Sequence, residues 1–124
     1  MTEPSTVIDP LWIRPLPAMG AILDSASHTK KLLVVDCGWP TYGWSAEIVA
    51  AVAEAPHMNL KAAARLGFAE TVCPTAKSLE QLYYPNAETI AAQAYAMVTG
   101  KTMPAWTPHE NGAAPEVATF RGPF

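Results

Sequence analysis

Short apolar runs separated by proline and polar residues predict alternating strands and helices. The clearest strand covers residues 31–36, where four consecutive apolar residues suit a strand buried on both faces of a parallel sheet. A β-branched run at 6–9 predicts a first strand that stops at Pro10. Residues 60–68 are ambiguous, because their alanines favour a helix whereas the alternation of elements requires a strand.

Apolar residues at helical spacing predict helices at 18–27, 46–55, 76–82 and 87–98. Ser45, Thr75 and Asn86 are residue types that cap helix N-termini, and we predict them as the caps of the last three helices. Pro56 should end the second helix. We therefore expect an α/β fold of three layers, with a mostly parallel sheet flanked by helices.

Proline divides the chain into three regions. Four of the 12 prolines lie in residues 1–17 and four in 99–124, where they disfavour regular structure. We predict an extended N-terminal segment with the first strand at 1–17, an α/β domain at 18–98, and a tail rich in proline and aromatic residues at 99–124. The tail is either an extended binding arm or disordered, and the sequence leaves both open.

Composition indicates one domain that contacts another chain. The 124 residues are 50% hydrophobic, which suffices for a packed core, but only 15% charged against a usual ~25%. The net charge of −3 argues against a nucleic-acid or anionic-membrane partner. No apolar run is long enough for a transmembrane helix, and no signal peptide is expected. Two cysteines without a CxxC motif predict reduced thiols in a cytoplasmic protein.

Histidine and cysteine give weak signals for catalysis. His28, His57 and His109 lack a second residue at metal-ligand spacing, and we interpret them as solvated or capping residues. Cys37 follows a predicted strand, where a reactive thiol is conceivable, but a buried, space-filling cysteine is the favoured interpretation. Cys73 has no activating neighbour in the sequence and is interpreted as structural.

Two aspartates and two glycines complete the candidate chemistry. Asp9 and Asp36 both end predicted strands; paired carboxylates can act as acid and base, but capping of loops is the simpler interpretation. Gly38 and Gly43 precede a helix without GxGxxG or a Walker lysine, and the aromatic residues between them would crowd a phosphate. Aromatic residues are enriched in interface cores, so we predict an interface. Its candidate residues are Trp39, Tyr42, Trp44, Glu47, Tyr84 and Trp106.

The order of several short motifs carries a family resemblance. They are VID at 7–9, PL at 15–16, TKKLLVVDCGW at 29–39, GWSAEI at 43–48, CPTAKSLE at 73–80, YP at 84–85 and Ile90. Together they resemble the C-terminal domain of the transketolase family, in particular the beta chain of the thiamine-diphosphate-dependent first component of 2-oxo acid dehydrogenase complexes. The chain departs from the family pattern in several places: Asp9-Pro10-Leu11 stands where the family has DLR, Pro17 and Cys37 replace acidic residues, and Val72 replaces a proline.

The resemblance implies a specific fold. It favours a strand at 63–66 over a helix. It covers residues 7–98 and starts within the second strand of the usual domain, so the first strand and helix are expected to be missing. A sheet edge left unpaired in this way invites association with another chain, including a second copy.

The resemblance also implies a function within an assembly. In the family, the catalytic histidine and the cofactor-binding domains lie upstream or on a partner chain. We therefore expect no catalytic, cofactor or metal residue in this chain, with thiamine diphosphate and magnesium bound elsewhere in the assembled enzyme. The expected partners are chains with the diphosphate- and pyrimidine-binding domains and the acyltransferase core.

Three hypotheses follow for the role of the chain. The first is a non-catalytic assembly subunit of a thiamine-diphosphate-dependent 2-oxo acid dehydrogenase or transketolase-like enzyme. The second is a stand-alone interaction or regulatory module derived from that domain. The third is a small enzyme that uses Cys37.

Overall fold

The computed structural model describes residues 5–105. Trp106, His109 and most of the predicted tail lie outside the described residues. Within them the elements, in chain order, are α1 (Met19–Thr29), β1 (Lys31–Val35), α2 (Trp44–Glu54), β2 (Ala62–Leu66), α3 (Lys77–Tyr83) and α4 (Ala87–Thr99).

The two strands form a parallel sheet. Their register runs from Lys31 opposite Ala62 to Val35 opposite Leu66, and the Asp36 N–H continues the ladder to the Leu66 carbonyl at 3.0 Å. Helix α2 connects the strands as a crossover and contacts both of them, as parallel pairing requires. Helices α1 and α4 also pack on the sheet. The predicted α/β class with a parallel sheet flanked by helices is confirmed, including the strand in the ambiguous alanine-rich segment.

The hydrophobic core lies where α1 and α2 cover β1. Ile22 and Ala26 of α1 are one helical turn apart, as are Ile48 and Val52 of α2, so each pair occupies one face of its helix. These four side chains and Val34 of β1 form the buried cluster. Among the partly buried residues packed against it are Leu16 and Trp44, which lie outside the sheet.

The predicted first strand is wrong. Residues 6–9 belong to no strand; Val7 is almost fully exposed, and only Ile8 packs against the core. The chain turns immediately afterwards, because Pro10 has no N–H and Leu11 adopts the left-handed region at φ 57°. The Asp9 carboxylate accepts a hydrogen bond from the Leu11 N–H at 3.1 Å, so Asp9 caps this turn as its loop interpretation predicted.

Two of the three predicted helix caps are wrong. Helix α2 begins two residues earlier than predicted, with Gly43 as its N-cap, so Ser45 lies inside the first helical turn and is buried. Ala76 precedes α3 without a side-chain cap, so Thr75 has no capping role. Asn86 is confirmed, since its Oδ1 accepts from the Thr89 N–H at 2.9 Å in a capping box. Helix α2 also ends before Pro56, as predicted.

Candidate interface site

The loop that follows β1, residues 36–43, is packed tightly against the chain that follows β2. We call it the strand-end loop. The Phe68 N–H donates to the Gly38 carbonyl at 2.8 Å, and the Arg65 guanidinium donates to the Pro40 carbonyl. A Cβ on Gly67 would overlap the Gly38 carbonyl oxygen, so the close approach of the two segments requires glycine there. Parallel strands bring these two segments together because their carboxyl ends share one edge of the sheet.

The aromatic residues of the strand-end loop are held at its surface. Trp39 is 51% exposed, and its indole N–H donates to the Ala69 carbonyl at 3.2 Å. The Thr41 hydroxyl donates to the Glu70 carboxylate at 2.6 Å. Tyr42 is fully exposed and adopts φ 58°. The loop therefore presents two aromatic rings to solvent on a backbone fixed by hydrogen bonds.

The strand-end loop does not fit a diphosphate. A Cβ on Gly43 would overlap the Trp39 carbonyl oxygen, so the chain itself fills the space that a glycine could leave for a ligand. A Cβ on Gly38 would lie 3.0 Å from an Asp36 carboxylate oxygen, which places a negative charge where a diphosphate would have to approach. Within residues 5–105, no three His, Cys, Asp or Glu side chains are grouped so that they could hold a metal ion.

An apolar groove lies between residues 13–16 and helices α1 and α2. We call it the N-terminal groove; its volume is about 560 Å³. Its apolar walls include Ile13, Pro15, Leu16, Met19, Trp44 and Ile48. Arg14 and Glu47 add one charge of each sign. Two predicted interface residues, Trp44 and Glu47, thus come together in one concave surface, one helical turn apart.

Tyr84 belongs to a separate aromatic cluster. Its ring stands edge-on to Phe68 and Tyr83, with centroids 5.2 and 5.0 Å away, while Phe68 and Tyr83 stack at 4.9 Å. The Tyr84 hydroxyl lies 3.5 Å from the Cys73 sulfur. The hydrogen bond to Cys73, and then the negative charge of its thiolate, raise the pKa of Tyr84 to about 12. Tyr84 is exposed but lines a different surface from Trp44 and Glu47.

The structure corrects the interpretation of Cys37. This side chain is exposed, not buried, because the chain leaves the core once β1 ends at Val35. Cys73 is also exposed, and both thiols are free. His28 and His57 are exposed as expected; the His28 Nδ1 atom lies 2.8 Å from the Asp24 carbonyl in the last turn of α1.

Sequence reasoning missed the segment before α1. The sequence predicts residues 1–17 only as an extended segment with a strand, yet Leu11, Trp12 and Ile13 are among the large exposed hydrophobic side chains, and Arg14 lines the N-terminal groove. The available signal was the apolar run LWI in a segment without regular structure. Trp106, the remaining candidate, lies outside the described residues.

None of the helices within residues 5–105 has both the length and the apolar character needed to cross a membrane.

Comparison with known proteins identifies the family. Residues 4–90 match the family described as transketolase, C-terminal domain. The chain is 37% identical over 86 residues to the mitochondrial pyruvate dehydrogenase E1 component subunit beta of Homo sapiens, and equally so to those of Pongo abelii and Rattus norvegicus. These alignments cover 68% of this chain and 24% of each relative, so the chain spans about a quarter of their length. No solved structure matches. The chain therefore belongs to the transketolase C-terminal domain family and is similar to the beta subunit of the pyruvate dehydrogenase E1 component.

Proposed function

We propose that this chain is a non-catalytic assembly subunit of a thiamine-diphosphate-dependent enzyme of the 2-oxo acid dehydrogenase or transketolase type. The match of residues 4–90 to a C-terminal domain carries this proposal. The chains that supply the diphosphate- and pyrimidine-binding domains are its partners. Thiamine diphosphate and magnesium bind to those chains, which is in keeping with the poor fit of the strand-end loop to a diphosphate.

The surface of the domain supports a role in assembly. The strand-end loop presents Trp39 and Tyr42 to solvent, and Trp44, the first residue of α2, lines the N-terminal groove. Aromatic residues with low conformational freedom are typical anchors of protein interfaces. Only 15% of the residues are charged, so more of the surface of this small domain is available for apolar contacts with another chain. We assign the strand-end loop to contact with the catalytic chain and regard the acyltransferase core as a further partner.

We also propose a cytoplasmic location. Cys37 and Cys73 are both exposed and free, which suits a reducing compartment.

The experiment is recovery of the tagged full chain from its source cells under gentle conditions, followed by intact-complex mass spectrometry with and without thiamine diphosphate and magnesium. We expect a complex with a chain that carries the diphosphate- and pyrimidine-binding domains. A double variant, Trp39→Ala with Tyr42→Ala, should lose that chain. Val72→Ala, another exposed apolar residue outside the loop, is the matched control and should retain it.

Other results would contradict the proposal. Recovery of the chain alone, or only with proteins that lack those domains, would favour the interaction module. A complex that survives the double variant as well as the control would show that the strand-end loop is not the contact surface. Alkylation of Cys37 that abolishes an activity of the isolated chain would favour the small enzyme instead.

A further inference from the structure

The N-terminal groove is open to solvent and carries charges without partners in the described part of the chain. Ile13 forms part of its wall and is 62% exposed. Arg14 and Glu47 line the groove, and neither forms an ion pair within residues 5–105. The volume of about 560 Å³ is within the range of sites that enclose a group larger than one aromatic side chain. The groove can therefore receive an aromatic side chain together with neighbouring residues of both charges.

Residues 106–124 carry side chains that match this groove. Phe120 is followed directly by Arg121, and Glu116 precedes it by four positions. An aromatic ring with a base and an acid close by in the chain is complementary to apolar walls that carry one acid and one base. These residues also lie beyond the match to the transketolase family, which ends at residue 90.

The chain beyond Ala105 is long enough to reach the groove. An extended chain covers about 3.3 Å per residue, so residues 106–120 can span roughly 50 Å. A domain of about 100 residues has a radius of gyration near 13 Å, and half of its circumference is also roughly 50 Å. Trp106 follows Ala105 directly and has no comparable reach. Phe120 can thus reach the groove along the surface of the domain.

Attachment to the same chain favours this contact over an equivalent contact with a separate protein. A segment joined to its binding site by a short tether has an effective concentration in the millimolar range. A contact whose Kd as a separate peptide is well below this concentration therefore forms in most molecules. One buried aromatic ring and two charge pairs are sufficient for affinity of this kind.

We propose that Phe120 occupies the N-terminal groove of its own chain. Arg121 then pairs with Glu47. Glu116 lies on the opposite side of the ring, where it pairs with Arg14. The contact covers apolar surface that the small core leaves open. It does not involve the strand-end loop, and it is therefore independent of the proposed function.

Photo-crosslinking of the purified full chain locates Phe120. Benzoylphenylalanine in place of Phe120 should crosslink to residues 13–19 and 44–51, as mapped by mass spectrometry of the digested protein. The same group in place of Val72, which is exposed and does not line the groove, is the control and should not crosslink there. Irradiation of a mixture of light and heavy-isotope chains should give crosslinked peptides of a single isotope, since the contact lies within one chain.

Proteolysis measures the charge pairing. Chymotrypsin cleaves after Phe120 only in molecules whose groove is empty, so the initial rate follows the fraction of those molecules. Glu47→Arg should raise this rate by about threefold or more, because it places a second positive charge beside Arg121. Glu54→Arg, at the exposed end of the same helix and outside the groove, is the matched control and should leave the rate unchanged.

Reversal of the partner charge gives a second arm with an identical cleavage site in both chains. In the Arg121→Glu chain, Glu47 faces a like charge. Addition of Glu47→Arg to that chain restores an opposite-charge pair, so the double variant should be cleaved more slowly than Arg121→Glu alone. Circular dichroism of each variant establishes that it is folded.

Three results would overturn the proposal. They are crosslinks from position 120 that avoid the groove or join two copies, the absence of any crosslink from this position, and equal cleavage rates in the folded Glu47→Arg and Glu54→Arg variants. Each would leave the proposed function intact, because that function is tested through Trp39 and Tyr42 of the strand-end loop.

Discussion

At the scale of single residues, contacts between two loops fix the candidate interface. Arg65 donates to the Pro40 carbonyl, and Phe68 to the Gly38 carbonyl, so the conformation of the strand-end loop depends on β2 and the residues that follow it. Gly67 lies between these two contacts and has no space for a side chain. The position of Trp39 and Tyr42 therefore depends on residues 25 to 30 positions away in the chain.

Gly67→Ala should destabilise the protein by about 1–3 kcal/mol, because its Cβ would overlap a backbone oxygen that cannot move without breaking the loop contacts. Gly20→Ala is the control. Gly20 lies in α1 with nothing within 4 Å of an added Cβ, so that substitution should stabilise by roughly 0.5–1 kcal/mol. Urea unfolding measures both. Equal effects at the two positions would contradict the tight packing of the loop.

Cys73→Ala should lower the pKa of Tyr84 from about 12 towards its ordinary value of 10.0. The substitution removes both the hydrogen bond and the thiolate charge that disfavour the tyrosinate. Spectrophotometric titration of tyrosinate absorbance measures the change, with Tyr84→Phe used to assign the transition. An identical high-pH transition in wild type and Cys73→Ala would mean that the two side chains do not interact.

At the scale of elements, tertiary contacts determine the secondary structure of segments whose local sequence is ambiguous. The apolar run of β1 is enough to predict a buried strand. The alanines of β2 favour a helix, but pairing with β1 satisfies their backbone groups and determines a strand. The prediction of Ser45 as an N-cap was wrong for a similar reason. Helix α2 packs on the core with Ser45 buried in its first turn, and Gly43 is the N-cap. Asn86 was predictable because its capping box is formed by residues only three positions apart.

Asn86→Ala should destabilise the protein by about 1 kcal/mol, because the Thr89 N–H loses its acceptor at the start of α4. Thr75→Ala is the matched control; Thr75 is exposed and caps no helix, so its replacement should stay within about 0.5 kcal/mol of wild type. Thermal unfolding compares the two. A control as destabilised as Asn86→Ala would show that the capping box contributes nothing specific.

At the scale of the whole molecule, a small core is accompanied by large apolar surfaces. The buried cluster is built from α1, β1 and α2, whereas Leu11, Trp12 and Tyr42 remain open to solvent. The exposed aromatic loop could be predicted from its sequence, because its residues are consecutive. The N-terminal groove could not, since its walls come from two helices and the segment before them. Family membership and these surfaces together favour a domain that functions in an assembly.

The most direct test of the assembly role is the turnover of the 2-oxo acid dehydrogenase or transketolase-like complex recovered with this chain. The chain is removed from the complex and then added back, either as wild type or as the Trp39→Ala, Tyr42→Ala double variant. We predict that removal abolishes turnover, that the wild-type chain restores it, and that the folded double variant does not. Full turnover of the depleted complex would contradict the assignment of this chain as a subunit of the enzyme.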